Sequence, residues 1–549
     1  MSQMKKRKPK YIFVSGGVMS GVGKGVTTAS LGTILQSKGF DVSLVKADPY
    51  LNVDAGTMNP TEHGEVFVMG SGLETDQDMG NYERFLNMSL PKENYMTNGM
   101  IFKYVIDKER SLGYKGACVE PTYHITEEIL RRLKEVSKKS NPDIIVVEIG
   151  GTIGEYQNAI FLEAARQLRL KNRSDVMFVM VSYLPVPSTI GEMKTKPTQN
   201  AVRQLNSYGI NPDIIVARSA GIVDKKRKEK IASMCGVLPQ NVISAPDVSS
   251  IYDIPVNFEQ DGIGNRILDH FNLEPKKRDL RHWKQFVSKF KNATGSVKIA
   301  IIGKYFETGD YVLSDSYISI IEALKISGAY KNIVPEIVWL SAKKFEQKSK
   351  LAQLDDFDGI LVPGGFGETG IQGKINVIQY AREHNIPYFG ICYGMQLLVV
   401  EYARNVLGWK QANTQEIDPQ TKYPVIHIMP DQKEKLSRGD YGGSMRLGSY
   451  DAVLKKGTQA HAIYKKETVT ERHRHRFEVN ADFISDLEEK GLVFSGTSPD
   501  GTLMEIAELP KATHPFFVGV QFHPEFLARP LDPHPVFNAF LEASLNRKK

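Results

Sequence analysis

The stretch "SGGVMSGVGKGVTT", Ser15 to Thr28, decides how the first half of the chain reads. It follows the apolar run "YIFV", and five glycines (Gly16, Gly17, Gly21, Gly23 and Gly25) surround one lysine, Lys24. A strand that turns through glycines into a helix brings backbone close to an anion, with the positive helix end aimed at it and a lysine to reach the outer phosphates. The stretch departs from the common pattern G-x-x-x-x-G-K-[ST]. Val18 stands at the first glycine position, and Gly25 stands where a magnesium-binding hydroxyl belongs. Ser20, Thr27 or carboxylates from elsewhere are the candidates to replace that hydroxyl.

Outward from this loop, apolar runs alternate with amphipathic stretches: "YIFV", "DVSLVKAD", "DIIVVEIGG", "VMFVMVSYL" and "DIIVARS". That alternation predicts a parallel α/β sheet. The rhythm breaks after about residue 265, where "NLEPKKRDLRHWKQFVSKFKNATGS" reads as a charged connector with room for a short helix. A fresh α/β series then starts with "VKIAIIGKY", "FDGILVPGG", "IPYFGICYG" and "FFVGVQFHPEF". The expected organisation is a first α/β domain over 1–270, a linker over 271–296 and a second α/β domain over 297–549.

Carboxylates for a magnesium ion are found in two places. "ETDQDMGNYERF" offers Asp76 and Asp78, on one side if that segment is extended, and "VVEIGGTIGE" puts Glu148 at the carboxyl end of an apolar strand, where α/β sheets bind ligands. "GEMKTKPTQNAV" adds Lys194 and Lys196, which share a side on an extended backbone and suit a second polyphosphate. Taken alone, they also fit two solvent-facing lysines before a proline.

In the second half, Cys392 in "PYFGICYGMQLLVVEYA" sits between a strand and a helix, the arrangement that exposes a nucleophile at a helix N-terminus. Taken alone, it also fits a small buried residue at a strand end. "VGVQFHPEF" supplies an imidazole and a carboxylate two residues apart, His523 and Glu525, and "LVPGGFG" supplies Gly364 and Gly365, whose amides can face an oxyanion.

Composition narrows the field. At 549 residues the chain exceeds one hydrophobic core, and 41% hydrophobic residues suits folded domains. Three cysteines are too few for a disulfide framework, no apolar run is long enough to cross a bilayer, and the basic start "MSQMKKRKPK" lacks an apolar signal core. A cytoplasmic setting is expected. The formal charge of +7 comes without zinc-finger spacing or aromatic-basic interleaving, so no nucleic-acid partner is expected. The run "KKRKEK" (225–230) reads as a solvated face or a phosphate-gathering patch.

The motifs "GGVMSGVGKG", "KADPYLNVDAGTMNPTEHGEVFV", "ETDQDMGNYERF", "VEIGGTIGE" and "GEMKTKPTQ", in that order, resemble the CTP synthase family over nearly the whole chain. The second half resembles class I glutamine amidotransferases. The resemblance implies a P-loop-type amidoligase domain with a parallel sheet, followed by a flavodoxin-like glutaminase domain. It implies ATP held by Gly21, Val22, Gly23, Lys24, Gly25, Val26 and Asp78 with the stretch Pro246, Asp247 and Val248, and magnesium held by Asp78 and Glu148. UTP or CTP would meet Ser20, Glu155, Tyr156, Gln157, Lys194, Thr195, Lys196, Pro197, Thr198, Gln199 and Lys230. Glutamine would meet Gly365, Tyr393, Gly394, Met395, Gln396, Glu416 and Arg476, with Cys392, His523 and Glu525 as catalytic residues.

The implied reaction is amination of UTP to CTP through a UTP phosphorylated on its 4-oxygen. Ammonia comes from glutamine or from solution, GTP activates and CTP inhibits. A homotetramer able to form filaments is implied too, as is an internal ammonia passage near His63. The chain departs from the family at Glu155 (often Asp), at Pro246 (a basic residue elsewhere) and at Thr369, where an arginine usually follows "PGGFG". The last change implies weaker GTP activation unless Arg446 compensates. A different amidoligase would share the loop but not "GEMKTKPTQ". A nucleotide-binding scaffold, a filament-forming structural protein or a partitioning ATPase would leave Cys392, His523 and Glu525 without a reason.

Overall fold

A computed structural model describes residues 8–189, 191–303, 314–437 and 442–548. The basic start and the last two residues of "VKIAIIGKY" lie outside the described residues. The chain forms two compact units. One comprises Met1–Asp54 with Asp78–Val287, the other Ala55–Gln77 with Ser288–Lys549. Residues 55–77, read from the sequence with the first half, therefore pack with the second.

The apolar runs of the first unit become strands β1 (Lys10–Gly16), β2 (Val42–Asp48), β3 (Tyr95–Thr97), β4 (Ile144–Thr152), β5 (Val176–Tyr183), β6 (Ile214–Ser219) and β7 (Val242–Pro246). Among the described residues they make one sheet in the order β3-β2-β4-β1-β5-β6-β7, with every pair parallel. The strands are continuous apolar runs because helices cover both faces, and every residue of β2 is buried. Ile144, Ile145 and Val146 are fully buried, each side chain contributing about 1.5–3 kcal/mol by transfer from water. The strand order reverses around β1, so the loop after β1 lies at the switch point where such sheets bind ligands.

The second unit holds β8 (Gly295–Gly303), β9 (Ile333–Ser341), β10 (Gly359–Val362), β11 (Tyr388–Ile391), β12 (Arg446–Leu454), β13 (Thr468–His475), β14 (Val493–Thr497), β15 (Met504–Glu508) and β16 (Phe517–Val520). Their order is β9-β8-β10-β11-β16-β15-β14-β12-β13, parallel from β9 to β16 and antiparallel from there on. Alternation along β8 sends Ala300 and Ile302 into one apolar cluster and Val297, Ile299 and Ile301 into another. The sheet is thus covered on both faces. The connector carries the helix Arg281–Asn292, whose Trp283 and Phe286 are buried.

Candidate functional site

In the first unit, β1 ends at Gly16 and the helix Lys24–Ser37 begins at Lys24, with Gly21 (φ 69°) and Gly23 (φ 89°) in the left-handed region that favours glycine. The first-turn amides of that helix have no intrahelical acceptor. The Lys24 side chain folds back over Gly16, where a Cβ would lie 2.8 Å from Lys24 Cδ. Burial lowers the Lys24 pKa, and Glu148, Asp78 and Glu155 act against that shift.

Gly25 answers the question its missing hydroxyl raised. A Cβ at residue 25 would collide with the Asp78 carboxylate, so the space a serine or threonine would fill already holds an acid from another segment. Asp78 opens the helix Asp78–Leu86, and the extended reading of Asp76 and Asp78 does not hold. Asp76 belongs to the second unit.

Lys46, which the sequence reading did not single out, ties this site together. It lies on β2 directly beside Glu148 on β4, and its Nζ donates to Glu148 Oε1 at 2.8 Å and to Asp78 Oδ2. Tyr82 donates its hydroxyl to the other Glu148 oxygen. Burial raises the Glu148 carboxyl against the pull of Lys46, whereas at Asp78 the nearby Lys46 and Lys24 outweigh burial and hold the carboxyl below its ordinary range. The available signal was a charged residue inside an otherwise apolar run. Two carboxylates converging on one cation fit a magnesium ion, which takes one or two carboxylates and completes its shell with water and phosphate oxygens. Among the described residues no group of three or more His, Cys, Asp or Glu could hold a metal by itself.

Pro246 lines a small crevice beside the loop with Gly23, Thr27, Arg218, Asn257 and Phe258. Arg218 pairs with Asp247 at 2.7 Å, and Val248 is partly buried. Lys194 bonds Glu192 at 2.6 Å, and Lys194, Arg227 and Lys230 all stabilise that carboxylate, so Lys194 and Lys230 share a neighbourhood. The extended spacing expected of Lys194 and Lys196 is absent. Thr195 has helical backbone angles (φ −93°, ψ −11°), and Lys196 opens the helix Lys196–Ser207, with Pro197 at its second position. Thr198 is fully buried against Ser182, and Gln199 bonds back to Thr195. Ser20, Tyr156 and Gln157 are exposed, and Gln157 donates to Glu155 at 3.0 Å.

In the second unit Cys392 stands between β11 and the helix Tyr393–Asn405 with φ 50° and ψ −98°, a conformation a non-glycine residue adopts only under constraint. Gly394 permits the close approach of helix and strand, since a Cβ there would strike the Val362 carbonyl. His523 leads into a single turn, Pro524–Leu527, rather than an extended strand, and its Nδ1 meets Glu525 Oε1 at 2.7 Å. Burial disfavours the imidazolium, but Glu525 and then Cys392 overcome it and raise the His523 pKa to about 10. Nε2 is buried and has no hydrogen-bond partner among the described residues. At Gly364 a Cβ would lie 2.7 Å from His523 Cε1, so only glycine fits, whereas at Gly365 the space is open.

These groups border a cavity of about 300 Å³, shared by Gly364, Gly365, Cys392, Arg474, Arg476, His523 and Glu525 with Gly56, Met58, Pro60, Glu65 and Val66 of segment 55–77. Of the residues expected to meet glutamine, Gly365 and Arg476 reach this cavity. Arg476 also bonds Gln432 and Ser444 at 3.1 and 3.0 Å. Tyr393, Met395 and Gln396 are buried in the helix that follows Cys392, and Glu416 accepts from the Gly367 amide at 2.7 Å. Arg446 is held by Glu505 at 2.8 Å and lies against His473 and His475.

Residues 10–273 match the sequence profile of the CTP synthase N-terminus, and residues 312–543 that of class I glutamine amidotransferases. The CTP synthase of Caldanaerobacter subterraneus is 48% identical over 98% of this chain and 99% of its own. That of Pyrococcus abyssi is 49% identical over 98% of each chain. A solved glutaminase domain of Trypanosoma brucei CTPS with bound acivicin is 36% identical, covers 46% of this chain and 94% of its own, and has a TM-score of 0.42. No helix among the described residues is long and apolar enough to cross a membrane. With relatives this similar over nearly the whole of both chains, the chain belongs to the CTP synthase family and is a ligase of that kind.

Proposed function

We propose that the chain aminates UTP to CTP by joining two chemistries, phosphorylation in the first unit and glutamine hydrolysis in the second. The observation that supports this reading is the presence in one chain of a glycine loop whose Gly25 abuts the Asp78 carboxylate and of Cys392, His523 and Glu525 around one cavity.

In the first unit the loop Gly21–Val26 receives the ATP phosphates, with Lys24 and Lys46 set against the transferring group. Pro246 and its crevice accept the base by shape. Magnesium, when bound with ATP, would be held by Asp78 and Glu148 and would neutralise charge on the phosphoryl oxygens. Lys194 and Lys230 gather the UTP phosphates, with Ser20 and the Glu155–Gln157 turn beside them. The γ-phosphoryl group moves to the 4-oxygen of UTP and ADP leaves. Ammonia then adds at carbon 4, phosphate departs and CTP remains.

In the second unit the Cys392 sulfur attacks the side-chain amide of glutamine while the Gly365 amide stabilises the oxyanion. His523, oriented by Glu525, gives a proton to the departing ammonia, and water then cleaves the thioester left on Cys392, releasing glutamate and restoring the thiol. Arg476 binds glutamine. On the same reading ammonia travels internally past His63, GTP activates hydrolysis, CTP inhibits, and the working form is a homotetramer.

UTP labelled with 18O on carbon 4 tests the phosphorylated intermediate. Label recovered in inorganic phosphate at one atom per CTP is expected, and label released to water contradicts it.

A further inference from the structure

The segment 55–77 does more in the second unit than border the cavity. It folds into a hairpin in which Phe67–Val68 pairs antiparallel with Glu74–Thr75, and Arg472 Nη1 donates to the Val68 carbonyl at 3.0 Å. Phe67 meets Phe526 edge-on at 5.0 Å, and Phe526 stacks on the His523 ring at 5.1 Å and 13°. Glu74, at the other end of the hairpin, is 1% exposed and accepts from Arg474 Nε at 2.8 Å. The Arg474 guanidinium lies over the Phe366 ring at 5.2 Å, and Phe366 directly follows Gly364 and Gly365. The Arg474 carbonyl faces Cys392 Sγ at 3.7 Å.

A buried carboxylate is costly to keep, and packing alone would be served as well by an apolar residue. An acid persists here beside an arginine whose backbone carbonyl faces the Cys392 thiol and whose guanidinium covers Phe366, next to the glycine turn. We propose that Glu74 is a positioning residue for glutamine hydrolysis, which through Arg474 holds Phe366 and the Gly364–Gly365 turn in register with Cys392. The inference rests on the proposed role of Cys392 in hydrolysis. Glu74 does not line the cavity. It acts on the placement of the oxyanion donors, which matter in the transition state and little in ground-state binding.

The test uses the full-length chain with Glu74→Gln, Arg474→Lys and the double variant, measuring kcat and KM for glutamine hydrolysis and, separately, ammonia-driven CTP formation. Each single change is expected to lower hydrolytic kcat on the order of tenfold, the scale of a small misplacement of catalytic groups, with KM nearly unchanged. The double variant should be no worse than the poorer single one, because the two residues act as a unit. Glu74→Asp, which keeps the charge, should recover part of the loss, and ammonia-driven synthesis by Glu74→Gln should stay at its natural level. An unchanged kcat, a loss confined to KM, multiplying losses in the double variant, or a parallel loss of ammonia-driven synthesis overturns the proposal. Hydrolysis that survives Cys392→Ala overturns the underlying reading instead.

Discussion

The site around Lys24 and the site around Cys392 are both built after a parallel strand, by a turn into a helix, yet they solve different problems. Around Lys24 the protein stores charge: Lys24 and Lys46 face Asp78, Glu148 and Glu155, with Lys46 bonded to two of the acids. On the proposed function, a polyanion and its metal complete this site. Around Cys392 it stores geometry instead: a strained backbone, an imidazole fixed by Glu525 and a glycine that leaves room for the ring. The first design resembles a socket, the second a reactive group already assembled. Glycine serves both in the same way, since Gly25 yields to Asp78 and Gly364 yields to His523.

The sharpest way to break this contrast is Gly25→Ser, which restores the hydroxyl of the common loop and pushes it into the Asp78 carboxylate. We expect both ammonia-driven and glutamine-driven CTP formation to fall by at least as much as in Lys24→Ala. That loss should be a factor of roughly thirty to a thousand, the range for removing a charge-assisted contact from a preorganised site. A Gly25→Ser chain that works normally would show that Asp78 does not replace the hydroxyl.

A smaller effect separates the sites by pH. The His523 pKa is raised to about 10 from an ordinary 6.5. Its stabilising contribution is therefore complete below about 6.5 and is lost as pH rises through about 10. The melting temperature should drop across that window, and Glu525→Gln should flatten the drop. An equal slope in both chains would remove Glu525 as the cause.

How much of this was legible in the sequence follows the same division. The strands β1, β2, β4, β5 and β6, and Cys392 with its turn, stood out because each rests on a contiguous run. The pairing of His523 with Glu525 was legible from spacing of two, although a tight turn and not a strand delivers it. Lys46 was missed because its meaning comes from Glu148, a hundred residues further on and adjacent only through strand register. Segment 55–77 reads with its sequence neighbours, whereas its contacts with Arg472, Arg474 and Phe526 lie 400 or more residues away and leave no local periodicity. The alternating "RHRH" of β13, Arg472 to His475, likewise hides a strand, because its arginines are satisfied by partners remote in sequence.

The smallest expected effect concerns regulation. Thr369 is exposed at the position where the family resemblance implies an arginine, and Arg446 is committed to Glu505. GTP should stimulate hydrolysis less than in arginine-bearing relatives, and Thr369→Arg should raise the stimulation. A GTP titration that is already strong in the natural chain and unaltered by the substitution would remove this residue from the account.

The claim that the two sites are chemically separate is tested most directly by comparing ammonia-driven with glutamine-driven CTP formation in Cys392→Ala. The account predicts that glutamine-driven synthesis is lost and ammonia-driven synthesis persists at the natural rate. Equal loss of both would contradict it.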